Sequence, residues 1–335
     1  MQEQDHQNLG RTLKIASRGS KLALWQADYV KGLLAKQGID SEVFVVKTTG
    51  DRVQDRFLHE IGGKGVFVRE IEQALLNKEA DLAVHSLKDL PAQLPEPFIF
   101  AAILPRHQSG DTMVLHPRIE SQIKTDETSL TAKLFASLGT ISVGTGSLRR
   151  SCFLKGANKN AKVVPIRGNV DTRLAKLKKG EWDSLILASA SFERLKIAQD
   201  MRQLQLDSNW FIPSPSQGAL VVECLSEFPY QRSLEFLDCQ QTRTRVSIER
   251  QILLALGGDC TLPIGVHSFF EGDQLLVRAS VLNNSGEEAR VRLSWQKSDD
   301  MLSKSTELVA EVIAALVDAG VNPILQSLKL PAVGI

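Results

Sequence analysis

Two stretches of the chain repeat one arrangement that suits the binding of anions. In Lys14-Ile-Ala-Ser-Arg18-Gly-Ser20-Lys-Leu-Ala-Leu-Trp-Gln26 and in Ile141-Ser-Val-Gly-Thr145-Gly-Ser147-Leu-Arg149-Arg150, an apolar run ends in a turn of small residues and a helical pattern follows. Glycine frees the turn and a hydroxyl can cap the helix. Backbone N–H groups then meet arginine at the positive end of the helix dipole. Either copy alone reads equally well as an ordinary helix cap at Ser20 or Ser147. Two copies with an arginine at each point to a ligand carboxylate or phosphate. Arg149, Arg150, Arg167, Arg173 and Arg194 fall near predicted strand ends and helix starts, and a guanidinium pairs bidentately with carboxylates. Arg167-Gly-Asn-Val-Asp-Thr-Arg173 holds two of them at a helix N-terminus, where the dipole disfavours cations. Lys176, Lys178 and Lys179 read as a solvated face.

Two further segments carry reactive side chains. Val84-His85-Ser86-Leu87-Lys88-Asp89-Leu90-Pro91 follows an apolar strand pattern, and ligands of open α/β sheets sit at the carboxyl ends of strands. Asp89 suits an acid, a base or a carboxylate that stabilises a cation, with Lys88 and Ser86 binding anions. From this segment alone a turn aspartate before Leu-Pro is the slightly favoured reading, and His85 reads as a hydrogen-bonded core residue. Leu256-Gly-Gly-Asp-Cys260-Thr-Leu-Pro263 sets a cysteine on a glycine-rich loop, where a stabilised thiolate would be reactive. Cys152, Cys224 and Cys239 read as small buried hydrophobes, and composition alone does not separate Cys260 from them. Gln26 either helps position an anion or only serves the helix start. Nucleotide motifs fail in detail. Ile61-Gly-Gly-Lys64-Gly65 lacks the hydroxyl residue after lysine, and Gly144-Thr-Gly146 has no third glycine at the dinucleotide spacing.

The elements that must position these residues divide the 335-residue chain into two styles. Up to about residue 225, β-rich runs (13–16, 43–47, 81–84, 98–104, 112–115, 140–143, 162–166, 184–188, 219–223) alternate with helical patterns (22–36, 66–76, 148–154, 170–179), which predicts α/β lobes with mixed, mostly parallel sheets. Beyond it, a helix over 242–256, three alternating runs (264–270, 274–281, 289–295) and a helical stripe over 308–317 predict a small α+β domain with a three-stranded antiparallel sheet. Breaker clusters at 105–110 and 213–218 suit hinges, with the chain leaving the first lobe and returning to it, so that a cleft can open and close. The expected boundaries are 12–107 with 215–238 for lobe 1, 108–214 for lobe 2 and 239–320 for the third domain, with 1–11 and 321–335 as tails. Net charge is only +1, yet residues 143–194 hold 11 Lys and Arg against four Asp and Glu, a local +7. That segment is where an anionic ligand belongs, while the near-neutral total and sparse aromatics argue against a nucleic-acid binder. No apolar run reaches membrane-spanning length, the polar start has no signal-peptide pattern, and four scattered cysteines without a C-x-x-C pair fit a reducing cytoplasm and no zinc cage.

Taken together, Ala16-Ser-Arg-Gly-Ser20, Thr48-Thr-Gly-Asp51, Gly62-Gly-Lys-Gly-Val-Phe67, His85-Ser-Leu-Lys-Asp89, Gly144-Thr-Gly-Ser-Leu-Arg-Arg150, Arg167-Gly-Asn169, Gln217-Gly-Ala219 and the Cys260 loop resemble the porphobilinogen deaminase (hydroxymethylbilane synthase) family, in family order from about Leu13 to Trp295. The resemblance implies two periplasmic-binding-protein-like lobes plus a small third domain. It implies a transferase of porphyrin and heme biosynthesis that joins four porphobilinogen molecules, each losing ammonia, and releases the linear tetrapyrrole with water. It implies a dipyrromethane cofactor, covalently bound as a thioether to Cys260, and Asp89 as the catalytic carboxylate. Arg18, Ser20, Ser86, Lys88, Thr145, Ser147, Arg149, Arg150, Arg167, Arg173 and Arg194 would bind the acid side chains of cofactor and substrate. Lys64 and Phe67 would belong to a lid, and Gln26 and Gln217 would lie at the site. No metal, nucleic acid or membrane partner is implied, and a cytoplasmic monomer is expected. The competing reading is a non-catalytic two-lobed binding protein for a small polycarboxylate.

The chain departs from the family pattern at four places. Gly146 stands where serine is frequent, Ser191 and Ser216 stand where glycine is frequent, and Asp259 replaces a common glycine before Cys260. A carboxylate beside the thiol should raise its pKa and slow cofactor attachment. None of the four removes a charged or nucleophilic group that the chemistry needs.

Overall fold

The computed structural model describes residues 9–48, 68–124, 126–258 and 262–334. In chain order the elements are β1 (Leu13–Arg18), α1 (Lys21–Ala35), β2 (Ser41–Val46), α2 (Arg69–Leu76), β3 (Leu82–Ser86), β4 (Phe98–Ile103), β5 (Asp111–Leu115), α3 (Pro117–Glu120), β6 (Ser129–Leu130), α4 (Ala132–Ser137), β7 (Ser142–Gly144), α5 (Leu148–Ala157), β8 (Lys162–Val164), α6 (Val170–Lys178), β9 (Ser184–Ala188), α7 (Ser189–Leu195), β10 (Gln203–Leu206), β11 (Leu220–Leu225), α8 (Gln240–Ala255), β12 (Ile264–Glu271), β13 (Gln274–Leu282), β14 (Glu288–Gln296), α9 (Ser305–Asp318) and α10 (Val321–Ser327). They fall into two compact units, residues 1–106 with 219–243 and residues 107–218 with 244–335.

Unit 1 is a five-stranded sheet in the order β2-β1-β3-β11-β4. β1 is parallel to β2 and to β3, and β11 is antiparallel to β3 and β4. Alternation along the strands sorts the side chains into two layers. Leu13, Ile15, Leu82, Val84, Leu220 and Val222 pack with Ala27, Val30 and Leu34 of α1. Ala16 and Ala83 pack on the other face with Ile71 and Leu75 of α2. The α1 face follows from burial at Ala27, Val30 and Leu34, one side of a 3.6-residue period.

Unit 2 holds a six-stranded sheet, β6-β10-β5-β9-β7-β8, and the three-stranded sheet β12-β13-β14. β7 is parallel to β8 and β9, whereas β5 is antiparallel to both β9 and β10. All five residues of β9 are buried, as a strand covered on both faces requires. The three-stranded sheet is a meander, turned at Gly272 (φ 57°) and at Asn283–Gly286, where Asn283 Oδ1 accepts from the N–H groups of Ser285 and Glu287.

The two mixed sheets and the small antiparallel sheet agree with the sequence expectation. The antiparallel strands β11 and β5 are interior strands of their sheets, and each follows a crossing of the chain from one unit to the other. Six elements were not expected: α3, β6 and α4, and three more with a physical reason. β10 offers only a short alternation, with Leu204 and Leu206 buried. α7 follows β9 with no intervening turn and has no side-chain cap. Residues 321–335, expected as a tail, contain α10, whose Val321, Ile324 and Leu325 are buried. The expected helix over 66–76 is observed as Arg69–Leu76, and its first two positions lie outside the described residues.

Candidate active site

In unit 1 the first of the two repeated turns forms with Ser20 as the helix cap. β1 ends at Arg18, Gly19 turns the chain, and Ser20 caps α1, its Oγ accepting from Ala23 N–H at 3.3 Å. Gln26 is buried within α1 and donates from Nε2 to Ser86 Oγ at 2.8 Å, which links the helix to the end of β3. Beyond Ser86 the chain makes a 3-10 turn, Leu87–Asp89. Leu87 is buried and its N–H donates to Ala219 O at 3.0 Å, while Leu90 N–H closes the turn on Leu87 O. Lys88 is half-buried and Asp89 is exposed. The carboxylate therefore stands on an anchored base with its tip open to a ligand. Arg18, Ser20, Gln26, Ser86, Lys88 and Asp89 thus gather at the carboxyl ends of β1 and β3.

Unit 2 repeats the turn with a different use of charge. Thr145 is buried, its N–H donating to Val164 O and its Oγ1 accepting from Ser147 N–H at 3.2 Å. Ser147 caps α5, its Oγ accepting from Arg150 N–H at 3.4 Å. Arg149 and Arg150, expected among the carboxylate-binding residues, turn inward. Arg149 Nη2 donates to Asp111 Oδ2 at 2.7 Å and Nη1 to Ile212 O at 2.7 Å. Arg150 donates from Nη2 and Nε to Asp111 Oδ1, at 2.7 and 3.1 Å, and from Nη1 to Ile186 O. Gln217 Nε2 joins the same carboxylate at 3.0 Å. Burial pushes the Arg149 guanidinium down, Arg150's charge acts in the same direction, and Asp111 opposes them. Two guanidiniums against one carboxylate leave positive excess beside the start of α5.

Arg167 is half-buried and precedes Gly168, whose φ of 99° lets the chain turn into α6. Arg173, in the first turn of α6, donates from Nε to Gly168 O at 2.8 Å. Arg194 is buried and donates from Nη2 to Gly218 O at 2.9 Å. Cys152 and Cys224 are buried thiols pushed up to about 11 and about 12 by burial first, as befits apolar fillers. Lys64, Phe67 and Cys260 lie outside the described residues.

The sequence reading missed three buried acids. Asp111 begins β5 immediately after the 105–110 breaker cluster, and that position was its one signal. Glu223, on β11, lies at 2.9 Å from His85 Nε2. Glu249, on α8, accepts from Ser216 N–H at 2.6 Å and from Ser268 N–H and Oγ–H at 2.7 and 2.8 Å. Glu249 thereby holds Ser216 at φ 62°, a left-handed conformation natural to glycine and strained for serine. The departure at Gly146 also has a physical reason. A Cβ there would lie 2.7 Å from Ile166 O, so this turn has no room for the frequent serine.

The family model described as "Porphobilinogen deaminase, dipyromethane cofactor binding domain" matches residues 13–230, and "Porphobilinogen deaminase, C-terminal domain" matches 243–318. The chain is 38% identical to the porphobilinogen deaminase of Helicobacter acinonychis over 319 residues, covering 95% of this chain and 99% of that one. It is 39% identical to that of Burkholderia thailandensis over 331 residues, covering 96% of each. Among solved structures, an ancestral cationic amino acid solute binding protein aligns with a TM-score of 0.40 at 16% identity, covering 73% of this chain and 91% of that one. Substrate binding domain 2 of Lactococcus lactis GlnP aligns with a TM-score of 0.40 at 12% identity, covering 73% and 90%.

Proposed function

The chain belongs to the porphobilinogen deaminase family, and from that premise we propose which of its residues carry the reaction. Its activity is that of a hydroxymethylbilane synthase, a transferase of tetrapyrrole biosynthesis that joins porphobilinogen units. These matches do not favour the alternative of a non-catalytic polycarboxylate receptor. The cofactor is dipyrromethane, which when bound supplies the primer that the substrate units extend.

The donor chemistry of unit 2 fits a group that bears several carboxylates. Thr145 and Ser147 bring hydroxyls to the N-terminus of α5, Arg167 and Arg173 flank that of α6, and the Arg149–Arg150 pair outnumbers its one carboxylate. We assign Thr145, Ser147, Arg167 and Arg173, with Arg18, Ser20, Ser86 and Lys88 in unit 1, to binding the acid side chains, and the inward-turned Arg149 and Arg150 to the positive charge behind them. The assignment of Cys260 as the thioether attachment point, and of Lys64 and Phe67 to a lid, rests on the family resemblance. So do the division into two lobes and a third domain over 239–320, and the reading of the chain as a cytoplasmic monomer.

Asp89 is assigned as the catalytic carboxylate, and the observation that supports it is its exposure on an anchored turn at the end of β3. Loss of ammonia from the aminomethyl carbon of porphobilinogen leaves positive charge that the pyrrole nitrogen shares. A fixed carboxylate at that N–H stabilises charge where it develops, and it can also assist proton movement at the leaving amine. Asp89→Asn keeps the shape and removes the charge. Its turnover of porphobilinogen should fall by about 100-fold or more, while intact-protein mass still shows the cofactor. Near-normal turnover by that variant overturns the assignment.

A further inference from the structure

We propose that the buried pair His85–Glu223 holds the Ser86–Asp89 turn in register, so that both are positioning residues for the carboxylate of Asp89. The inference rests on the reading of Asp89 as the catalytic group. His85 Nε2 lies 2.9 Å from Glu223 Oε2, and the two side chains are 8% and 0% exposed. This is ion-pair distance, though off the line of an ideal hydrogen bond. β3 and β11 run antiparallel with Val221 opposite His85 and Glu223 opposite Ala83, so the pair reaches diagonally across the two strands. It lies on the α2 face, with Ala16, Ala83, Ile71 and Leu75. The next residue, Ser86, points to the opposite layer, where Gln26 of α1 donates to it. Consecutive residues of β3 are thus gripped from both faces, and Asp89 follows three residues later.

The apolar surroundings make the pair informative. A hydrophobic pair of similar size would fill this layer without the desolvation cost of buried polar groups. A close polar pair adds a tie between the strand end and β11 at one point, beyond its packing. Among the described residues, Glu72 and Arg69 of α2 are charged groups that act on the same cluster. Glu72 lies close enough to Glu223 for that carboxylate to raise its pKa further, after burial, while His85 and Arg69 oppose the rise.

The test uses the full-length enzyme with its cofactor. His85→Gln and Glu223→Gln are made singly, together, and with His85→Gln also placed on an Asp89→Glu background. A displaced catalytic group predicts a fall in kcat of about 10- to 100-fold in each single variant, with KM within about two-fold. Cofactor content by intact mass should be unchanged. The double variant should lose no more than the worse single one. On the Asp89→Glu background, where the carboxylate is already displaced, His85→Gln should cost less than two-fold. Full kcat in both single variants overturns the proposal. So do losses that multiply and persist on the Asp89→Glu background with a lowered thermal midpoint, because they signify packing damage. Glu223→Gln, which is isosteric, carries the test if the histidine variant does not fold. Failure of the underlying reading has a different signature, normal turnover in Asp89→Asn.

Discussion

The start of β5 in unit 2 and the middle of β11 in unit 1 each bury a carboxylate completely, Asp111 and Glu223, and the two are served very differently. Both strands are laid down as the chain enters a unit from the other, and both run antiparallel to a central strand, β9 and β3. Asp111 receives charge-assisted bonds from Arg149 and Arg150 and an amide from Gln217. Among the described residues Glu223 has one imidazole at ion-pair distance, and its charge acts on the carboxylate of Glu72. Asp111 is therefore the more fully bonded of the two carboxylates, whereas Glu223 is held at ion-pair distance by His85. Unit 1 is also the unit that carries Asp89. A carboxylate tied by three side chains holds the start of α5 firmly. A carboxylate with a single polar neighbour, next to the Asp89 turn, leaves the placement of that turn dependent on one pair.

Asp111→Asn should produce the largest effect on stability. It leaves two buried guanidiniums without their shared counter-charge, and breaking a buried pair in this way costs about 3–5 kcal/mol. Urea denaturation of the variant measures it. A loss below about 1 kcal/mol would mean that the carbonyls of Ile212 and Ile186 already satisfy the arginines, and the contrast between the units would disappear.

Asp111 also shows where legibility ended. The turn chemistry was plain, since hydroxyl, glycine and the following helical pattern lie within eight residues of one another at both sites. Both serines cap as expected, at 3.3 and 3.4 Å. The destination of the arginines was not legible, because their partner lies 38 residues away in sequence from Arg149. One signal was available. Cys152, Phe153 and Leu154 form an apolar run that is buried with Arg149 and Arg150, while the exposed positions of α5 are Leu148, Lys155 and Gly156. The parallel strands were readable from βαβ alternation. The central antiparallel ones were not, since they depend on the chain's passage between units. α10 escaped notice because Val321, Ile324 and Leu325 are too short a stripe to stand out from a tail.

The paired turns allow a sharper contrast of intermediate size. Gly146→Ser should destabilise the protein by about 1–3 kcal/mol, because its Cβ would lie 2.7 Å from a backbone oxygen and β8 must shift to admit it. Gly19→Ser meets only Val45 Cγ1 at 3.5 Å, an ordinary contact, and should stay within about 0.5 kcal/mol. Thermal midpoints of the two variants, side by side, decide it. Equal losses would show that the two turns share one environment after all.

The smallest effect probes the Glu223 side directly. Burial first, and then the charge of Glu223, hold the Glu72 carboxyl above its ordinary value, against the opposing charges of His85 and Arg69. A raised pKa in the folded state means that folding favours the protonated form. The stability this brings is complete below the ordinary glutamate value and is lost as pH rises through the folded one, so at neutral pH the wild-type chain carries a penalty there. Glu72→Gln removes the titration. The variant should be more stable than wild type at pH 7, by a few tenths of a kcal/mol given the solvent screening of a half-buried group, and its advantage should vanish near pH 4. Urea midpoints at the two pH values read the difference. An advantage that is the same at both would assign the gain to packing and leave Glu223 without an electrostatic neighbour. An advantage confined to neutral pH would show that an ionised Glu72 is disfavoured on the α2 face of β3, by burial first and then by the charge of Glu223.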